Sequence, residues 1–184
     1  MKLTKLSLLA SLVLGSISAF AQTDSHSVSV TIQEVAIVGI TSSATDGDTS
    51  LDLSPEQITE AGKGLDFSSI TDSSLWLNYS SIVAETETRS IGVKLDSELS
   101  DGYKLKLTVG ADKGNGAGTM GSEAGEVTLS TTEVDVVTGI GSSYTESGAN
   151  NGRNLTYALE IDETAYGSIF ATTETVNITY TITE

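Results

Sequence analysis

Beyond residue 26, apolar residues recur mostly at every second position, and polar residues fill the positions between them. This period of two is typical of extended strands, because successive side chains then point to opposite faces. The longest alternations cover residues 103–109, 155–161 and 176–182. Shorter ones occur at residues 51–53, 75–79, 91–95, 127–129 and 134–136, separated by the Gly, Ser, Asp and Asn clusters typical of turns. The pattern predicts about eight or nine strands, each with one buried face.

This number and spacing of strands predicts an all-β fold, an immunoglobulin-like or Greek-key β-sandwich. A closed barrel is the alternative. Ser54 before Pro55 is the only helical signal, and it predicts one short turn at residues 54–57. Two glycine-rich stretches, 110–125 and 139–152, are expected to form long loops. Such loops on a rigid sandwich are either binding sites or solvated tips.

The first 21 residues have the pattern of a signal peptide. Lys2 and Lys5 precede an apolar run at residues 6–17, and residues 19–21 read Ala-Phe-Ala, a typical cleavage site. We therefore expect export by this signal peptide, residues 1–21, to the extracellular space or the cell surface. The apolar run is too short to span a bilayer, and no later run approaches the necessary length. Membrane insertion is not expected.

The chain is strongly acidic, with 25 Asp and Glu residues against 9 Lys and Arg residues and a formal net charge of −16. Such a charge repels phosphate backbones and therefore argues against nucleic acid as a partner. The sequence contains no cysteine, so that the fold must be stabilised by its core and not by disulfides. A chain of this length can bury such a core in a single domain.

Residues suited to catalysis or metal binding are scarce. His26 is the only histidine, so a serine nucleophile has no evident base, and a site of several His or Cys metal ligands is excluded. Carboxylate pairs remain available, but nothing in their spacing selects one pair. The acidic turns at residues 46–48 and 112–115 offer oxygen ligands for calcium, although ordinary turns prefer the same residues. We expect a protein that is not an enzyme, with no cofactor and no metal site.

The single tryptophan, Trp76, raises the question of carbohydrate binding. With Tyr79 and Tyr103 it could form a platform on which a sugar stacks. Trp76 is out of phase with Leu75 and Leu77 and therefore faces away from them. A tryptophan of a sandwich strand commonly belongs to the core, and we favour that interpretation. Trp76 is kept as the candidate glycan contact.

The alternation breaks near the start of the predicted mature chain. Val28, Val30 and Ile32 share one face, whereas Val35 and Ile37 continue on odd positions. A slip of one residue reverses the face of every side chain, so the two stretches are expected to be separate elements. We divide the chain into an N-terminal extension or donor strand, residues 22–33, and a β-sandwich domain, residues 34–184.

This order of parts resembles the structural subunits of fimbriae and pili of the chaperone–usher type, particularly the archaic, spore-coat-U-like branch. The shared parts are a signal peptide, a short Ser/Thr–Val alternation, a first body strand, a Leu-x-Leu strand, glycine-rich stretches and a Thr-rich terminal strand. In that family each subunit is an incomplete immunoglobulin-like sandwich whose groove receives the N-terminal strand of the next subunit, a form of β-strand addition. The donor residues implied are Val28, Val30 and Ile32. The acceptor-groove residues implied are Val176, Ile178, Tyr180 and Ile182.

The resemblance implies a secreted or cell-surface structural subunit of a fimbria-like fibre with a role in adhesion. Its partners would be further copies or related subunits, together with a periplasmic chaperone and an outer-membrane usher. Archaic subunits usually carry a disulfide, which this sequence cannot form. The alternative is a monomeric secreted β-sandwich that binds carbohydrate through Trp76 or the glycine-rich loops. In that case residues 27–40 would be its first edge strands.

Overall fold

The computed structural model describes residues 24–68 and 70–183, so the predicted signal peptide lies outside the described residues. The chain divides into two units, the first ending at Ile32 and the second beginning at Gln33. Residues 24–32 are exposed and have no regular secondary structure. The described part of the second unit contains nine strands: β1 Val35–Ser42, β2 Thr71–Ile82, β3 Arg89–Leu95, β4 Tyr103–Asp112, β5 Ala117–Glu123, β6 Glu126–Thr128, β7 Val134–Tyr144, β8 Arg153–Ile161 and β9 Ile178–Ile182. The predicted all-β fold is confirmed.

The strands form one continuous antiparallel sheet that folds into two layers. Its path is β6-β4-β8-β2-β7-β3-β9, with β1 added to β2 and β5 added to β7. Strand β2 changes partner along its length, because Leu75 pairs with Leu155 of β8 whereas Ser81 pairs with Ser143 of β7. One layer is therefore β6-β4-β8-β2-β1 and the other is β5-β7-β3-β9. The layers enclose a common core, which is the arrangement of a β-sandwich. The immunoglobulin-like strand order stays a prediction.

The core is formed by the apolar positions of the alternating strands. In β4, Leu105, Leu107 and Val109 are buried, while Lys104 on the opposite face is exposed. Both layers contribute to the same cluster. Its fully buried members are Leu77, Ile91, Val93, Leu107, Val136, Val137, Ile140 and Leu155. Burial of this apolar surface is the main source of stability in a chain without disulfides.

The structure differs from the sequence prediction in two short segments. Residues 51–53 were expected to form a strand and residues 54–57 a helical turn, but neither segment has regular secondary structure. Leu51 and Leu53 do pack against the core, so their alternation reports burial without strand pairing. A 3₁₀ helix occurs instead at Glu163–Ser168. It begins after Asp162, whose carboxylate accepts a hydrogen bond from the Thr164 amide and so caps the helix.

The prediction of two long glycine-rich loops is wrong. Residues 110–125 include the end of β4 and all of β5, and β7 extends through the second stretch as far as Tyr144. Gly116, Gly118 and Gly121 lie where the backbone of β7 approaches too closely for a side chain. A Cβ atom at Gly116 would lie 1.7 Å from the carbonyl oxygen of Tyr144, and one at Gly118 would lie 2.1 Å from that of Ser142.

Within the described residues, no helix is long and apolar enough to cross a membrane.

Candidate functional site

The terminal strand β9 is paired on one side only. Its partner is β3. The Thr183 amide donates a hydrogen bond to the Ser90 carbonyl, and the Asn177 carbonyl accepts one from the Asp96 amide. Bonds to a neighbouring antiparallel strand involve every second residue. The backbone groups of Ile178, Tyr180 and Ile182 therefore face away from β3, and the described residues supply no backbone partner for them. This side of β9 is an open edge.

Strand β1 presents a second open edge. The Ser43 amide donates to the Ser74 carbonyl, which places the backbone groups of odd-numbered β1 residues against β2. The backbone groups of Val38 and Ile40 consequently face away from β2, and no described strand pairs with them. The side chains of the same two residues are half-buried and pack against the core. On both edges, therefore, core-facing residues carry the unpaired backbone groups.

Strands β1 and β9 contact each other, and Arg89 of β3 links their ends. Its guanidinium donates to the Thr183 carbonyl at 2.7 Å and forms an ion pair with Glu34 at 2.9 Å. The Arg89 side chain is only 5% exposed, and these bonds engage both of its terminal nitrogens, while its buried Nε has no partner among the described residues. The start of β1 and the end of β9 are thus held together.

A cavity of about 790 Å³ lies along the two open edges and reaches the core. Its apolar lining comes from both layers of the sandwich. This lining includes Ile40, Leu75, Leu105, Leu159 and Ile178. Residues 49–55 and 172–178 form its remaining boundary. We call this cavity, together with the free edges of β1 and β9, the groove.

A pair of tyrosines supplies polar groups in the lining of the groove. The hydroxyl oxygens of Tyr157 and Tyr180 are 2.6 Å apart, a short hydrogen bond between neutral phenols. Burial raises the pKa of Tyr157 to about 12. Burial, and then the neighbouring Tyr157 hydroxyl, raise the pKa of Tyr180 as well. Both phenols therefore remain protonated at neutral pH.

The residues assigned by resemblance fall into two sets. The implied donor residues Val28, Val30 and Ile32 are 77%, 80% and 74% exposed. The implied acceptor residues Ile178, Tyr180 and Ile182 form β9, with half-buried side chains. Val176 precedes β9 and is also half-buried, lining the groove. Val176, Ile178 and Tyr180 thus line the cavity, whereas Ile182 packs against the core without lining it, and the three implied donor residues are exposed.

Trp76 is a poor candidate for a sugar platform. It is 7% exposed, and the Lys113 ammonium lies 5.3 Å from the centre of its ring. It is buried without belonging to the main core cluster around Leu75 and Leu77. A cation over an indole stabilises the pair and covers the face on which a sugar would stack.

The acidic turns use their carboxylates internally. Asp46 accepts a hydrogen bond from the Asp48 amide, and Asp112 accepts one from the Gly114 amide. These are ordinary Asx turns. Among the residues that the structure describes, no group of three or more His, Cys, Asp or Glu side chains is placed to hold a metal ion.

Sequence reasoning missed two parts of this region. The first is the boundary formed by residues 49–55 and 172–175, which lack a strand pattern of their own and line the groove through tertiary packing. The second is Arg89, whose isolated position gave no signal that it joins Glu34 to Thr183.

Comparisons of this chain with protein-family models, curated proteins and solved structures found no match.

Proposed function

We propose that this protein is a secreted or cell-surface structural subunit of a fimbria-like fibre, which assembles by donating its N-terminal strand. One observation carries the proposal. The groove combines an apolar cavity with two unpaired strand edges, while the same chain carries an exposed, alternating apolar segment at residues 28–32. A free edge beside an open core is the surface that an additional strand completes.

The N-terminal segment and the groove are chemically complementary. A strand entering the groove forms ladder hydrogen bonds with the backbone groups of Ile178 and Tyr180 on β9. Its alternate side chains, those of Val28, Val30 and Ile32, then enter the apolar cavity. Ser27, Ser29 and Thr31 remain on the solvent side. Hydrogen bonds supply affinity, and the apolar side chains determine the register.

The direction of the donated strand follows from the position of the receiving copy's own extension. In the copy that donates its strand, at most about 10 Å of extended chain separates Ile32 from Val35, the first residue of β1. The body of that copy therefore lies close to the end of the groove that its Ile32 reaches. In the receiving copy, Glu34 lies beside the Thr183 end of β9, because Arg89 binds both. A donor strand antiparallel to β9 places the two neighbouring bodies at opposite ends of the groove. A parallel strand would crowd both at one end.

This contact joins different surfaces of the two copies and does not close on itself, so it generates a filament. An uncovered apolar groove is also an aggregation hazard before assembly. The proposal therefore includes a periplasmic chaperone that covers the groove and an outer-membrane usher that exports the subunit. A role in adhesion is part of the same proposal.

The test is filament formation by the purified protein, observed by negative-stain microscopy and light scattering. Replacing Val28, Val30 and Ile32 together by serine should abolish filaments. The matched control replaces Ser27, Ser29 and Thr31 together by alanine, on the opposite face of the same segment, and should leave filaments intact. A wild-type protein that remains monomeric at high concentration, or a triple-serine variant that still assembles, would contradict the proposal.

A second experiment uses the peptide of residues 22–33. Added in excess to the triple-serine variant, it should bind the vacant groove and raise the melting temperature in proportion to occupancy. A peptide with the three apolar residues replaced by serine is the control and should have no effect. Equal shifts in melting temperature with both peptides would show that the groove does not distinguish apolar from serine side chains at these positions.

A further inference from the structure

The connection between β1 and β2 is much longer than the fold requires. These strands are antiparallel neighbours, with Ser42 directly opposite Leu75. Strands so placed are usually joined by hairpin loops of two to about five residues. Here the connection occupies residues 43–70, and its described residues have no helix or strand. A connection of this length inside a compact domain commonly has a function of its own.

Part of this connection lies on the groove. Residues 49–55 line the cavity without interruption, and Leu51 and Leu53 are half-buried against the core cluster. Asp52, between them, is exposed. The segment thus offers alternate apolar side chains to the groove, the same pattern that residues 28–32 carry.

The backbone of this segment makes no strand pairing. Among the described residues, positions 49–55 form no backbone–backbone hydrogen bond with either edge of the groove. Their hydrogen bonds are local: the Ser50 amide donates to Asp48, and the Ser54 hydroxyl donates to Asp52. Its attachment to the groove therefore depends on the half-buried side chains of Leu51, Leu53 and Pro55. Segments held by few apolar contacts and no ladder are the first to open.

We infer that residues 49–55 are a displaceable cap on the groove, which the N-terminal strand of a second copy removes when it enters. This inference rests on the proposed function and adds a regulatory step to it. Before assembly, the cap shields part of the apolar lining from water. The incoming strand brings three apolar side chains in place of Leu51, Leu53 and Pro55, and it adds ladder hydrogen bonds that the cap does not form, so the exchange favours the filament. The length of the 43–70 connection lets the cap leave without disturbing β1 or β2.

The experiment follows a single thiol in the full chain. Because the protein has no cysteine, Leu53→Cys introduces a unique thiol on the buried side of the cap. Asp52→Cys is the matched control, since position 52 is already exposed. The rate of reaction with a thiol reagent is measured for monomers and for filaments. We expect the Leu53→Cys thiol to react at least about tenfold faster in filaments, because reaction requires exposure. The Asp52→Cys rate should change little.

Two further outcomes separate this inference from the proposed function. If filaments form and the Leu53→Cys thiol stays as protected as in the monomer, residues 49–55 are a permanent wall of the groove and the cap is refuted, while strand donation stands. If the wild-type protein forms no filament, both fail.

Assembly kinetics give an independent measurement. Replacing Leu51 and Leu53 together by serine weakens the cap and should shorten the lag before filament growth several-fold. Substituting Thr49 by serine in the same segment leaves both leucines in place and should not change the lag. An unchanged or longer lag in the double variant would overturn the inference.

Discussion

Two flanks of the same sandwich differ in how their strands are held together. We call the region around Arg153, β5 and β7 the clamped flank. The open flank is the groove, with β1 and β9. On the clamped flank, β5 and β7 approach to backbone contact. Among the described residues β5 also has one unpaired edge, but the unpaired edges of the open flank, those of β1 and β9, border the cavity that reaches the core.

The clamped flank is held together by the hydrogen bonds of Arg153. Its guanidinium has five N–H donors, and the structure gives it five acceptors. These are the Tyr79 hydroxyl, the carboxylate of Glu123 at 2.7 Å, and the backbone carbonyls of Gly110, Met120 and Gly121. The side chain is 2% exposed, and the bonds to all of its donors offset the cost of burying the charge.

The contrast teaches that the open flank is not the mark of a loosely folded protein. A body that bonds every donor of the buried Arg153 guanidinium leaves the outer edges of β1 and β9 unpaired among the described residues. Localised incompleteness of this kind is typical of a surface that awaits a partner strand. The following predictions test the contrast, beginning with the largest expected effect.

Arg153→Met should lower the free energy of unfolding by about 3–5 kcal/mol, because it leaves several buried acceptors without a donor. Urea denaturation measures the change. Lys94→Met, at an exposed position of β3, is the control and should stay within about 0.5 kcal/mol of the wild type. A loss below about 1 kcal/mol for Arg153→Met would mean that the clamped flank is not clamped by this residue.

Gly116→Ala should cost about 2–4 kcal/mol, because the new methyl group would collide with the Tyr144 carbonyl and push β5 from β7. The control is Gly39→Ala on β1, where no described heavy atom outside the immediate chain lies within 4 Å of the added carbon. It should change the stability by less than about 0.5 kcal/mol. Thermal melts of the two variants compare a position of close backbone approach, Gly116, with a position of open space, Gly39. Equal losses of stability would contradict the difference between the two flanks.

Tyr180→Phe acts on the open flank and should cost about 1–2 kcal/mol, since it leaves the buried Tyr157 hydroxyl without its partner. Tyr144→Phe is the control, because Tyr144 is 47% exposed and its ring can keep its position without the hydroxyl. Denaturation curves measured at pH 7 should separate the two variants. If the two variants unfold identically, the tyrosine pair contributes nothing to the stability of the groove.

The smallest effect is expected in alkaline solution. Burial raises the pKa of Tyr157 to about 12 in the folded protein, compared with the ordinary tyrosine value of 10.0. The unfolded chain therefore loses this proton first, and the contribution of Tyr157 to stability is complete below pH 10 and disappears as the pH rises towards 12. By pH 11 the loss is on the order of 1 kcal/mol. Tyr157→Phe should show a shallower decline in unfolding free energy between pH 9 and 11, whereas a parallel decline would contradict this assignment.

Alternation along the chain was sufficient to predict most of the sheet. Strands β2, β3, β4 and β8 all contain the residues whose period of two indicated them. The phase slip between Gln33 and Glu34 lies immediately before β1, which begins at Val35. These features were predictable because the direction of a side chain in an extended strand depends only on its position in the chain.

Only the tertiary structure decided which strands pair and where pairing stops. The glycines of β5 led to the prediction of a loop, because their role depends on the close approach of β7 and not on their own neighbours in sequence. Leu51 and Leu53 resembled a strand, but the groove they cover has its open edges on β1 and β9. The acceptor residues of β9 could be named from their alternation, whereas their unpaired edge depends on the strand order of the folded sheet. Local patterns determine which side chains face the core, and long-range packing determines which backbone edges are left without a partner.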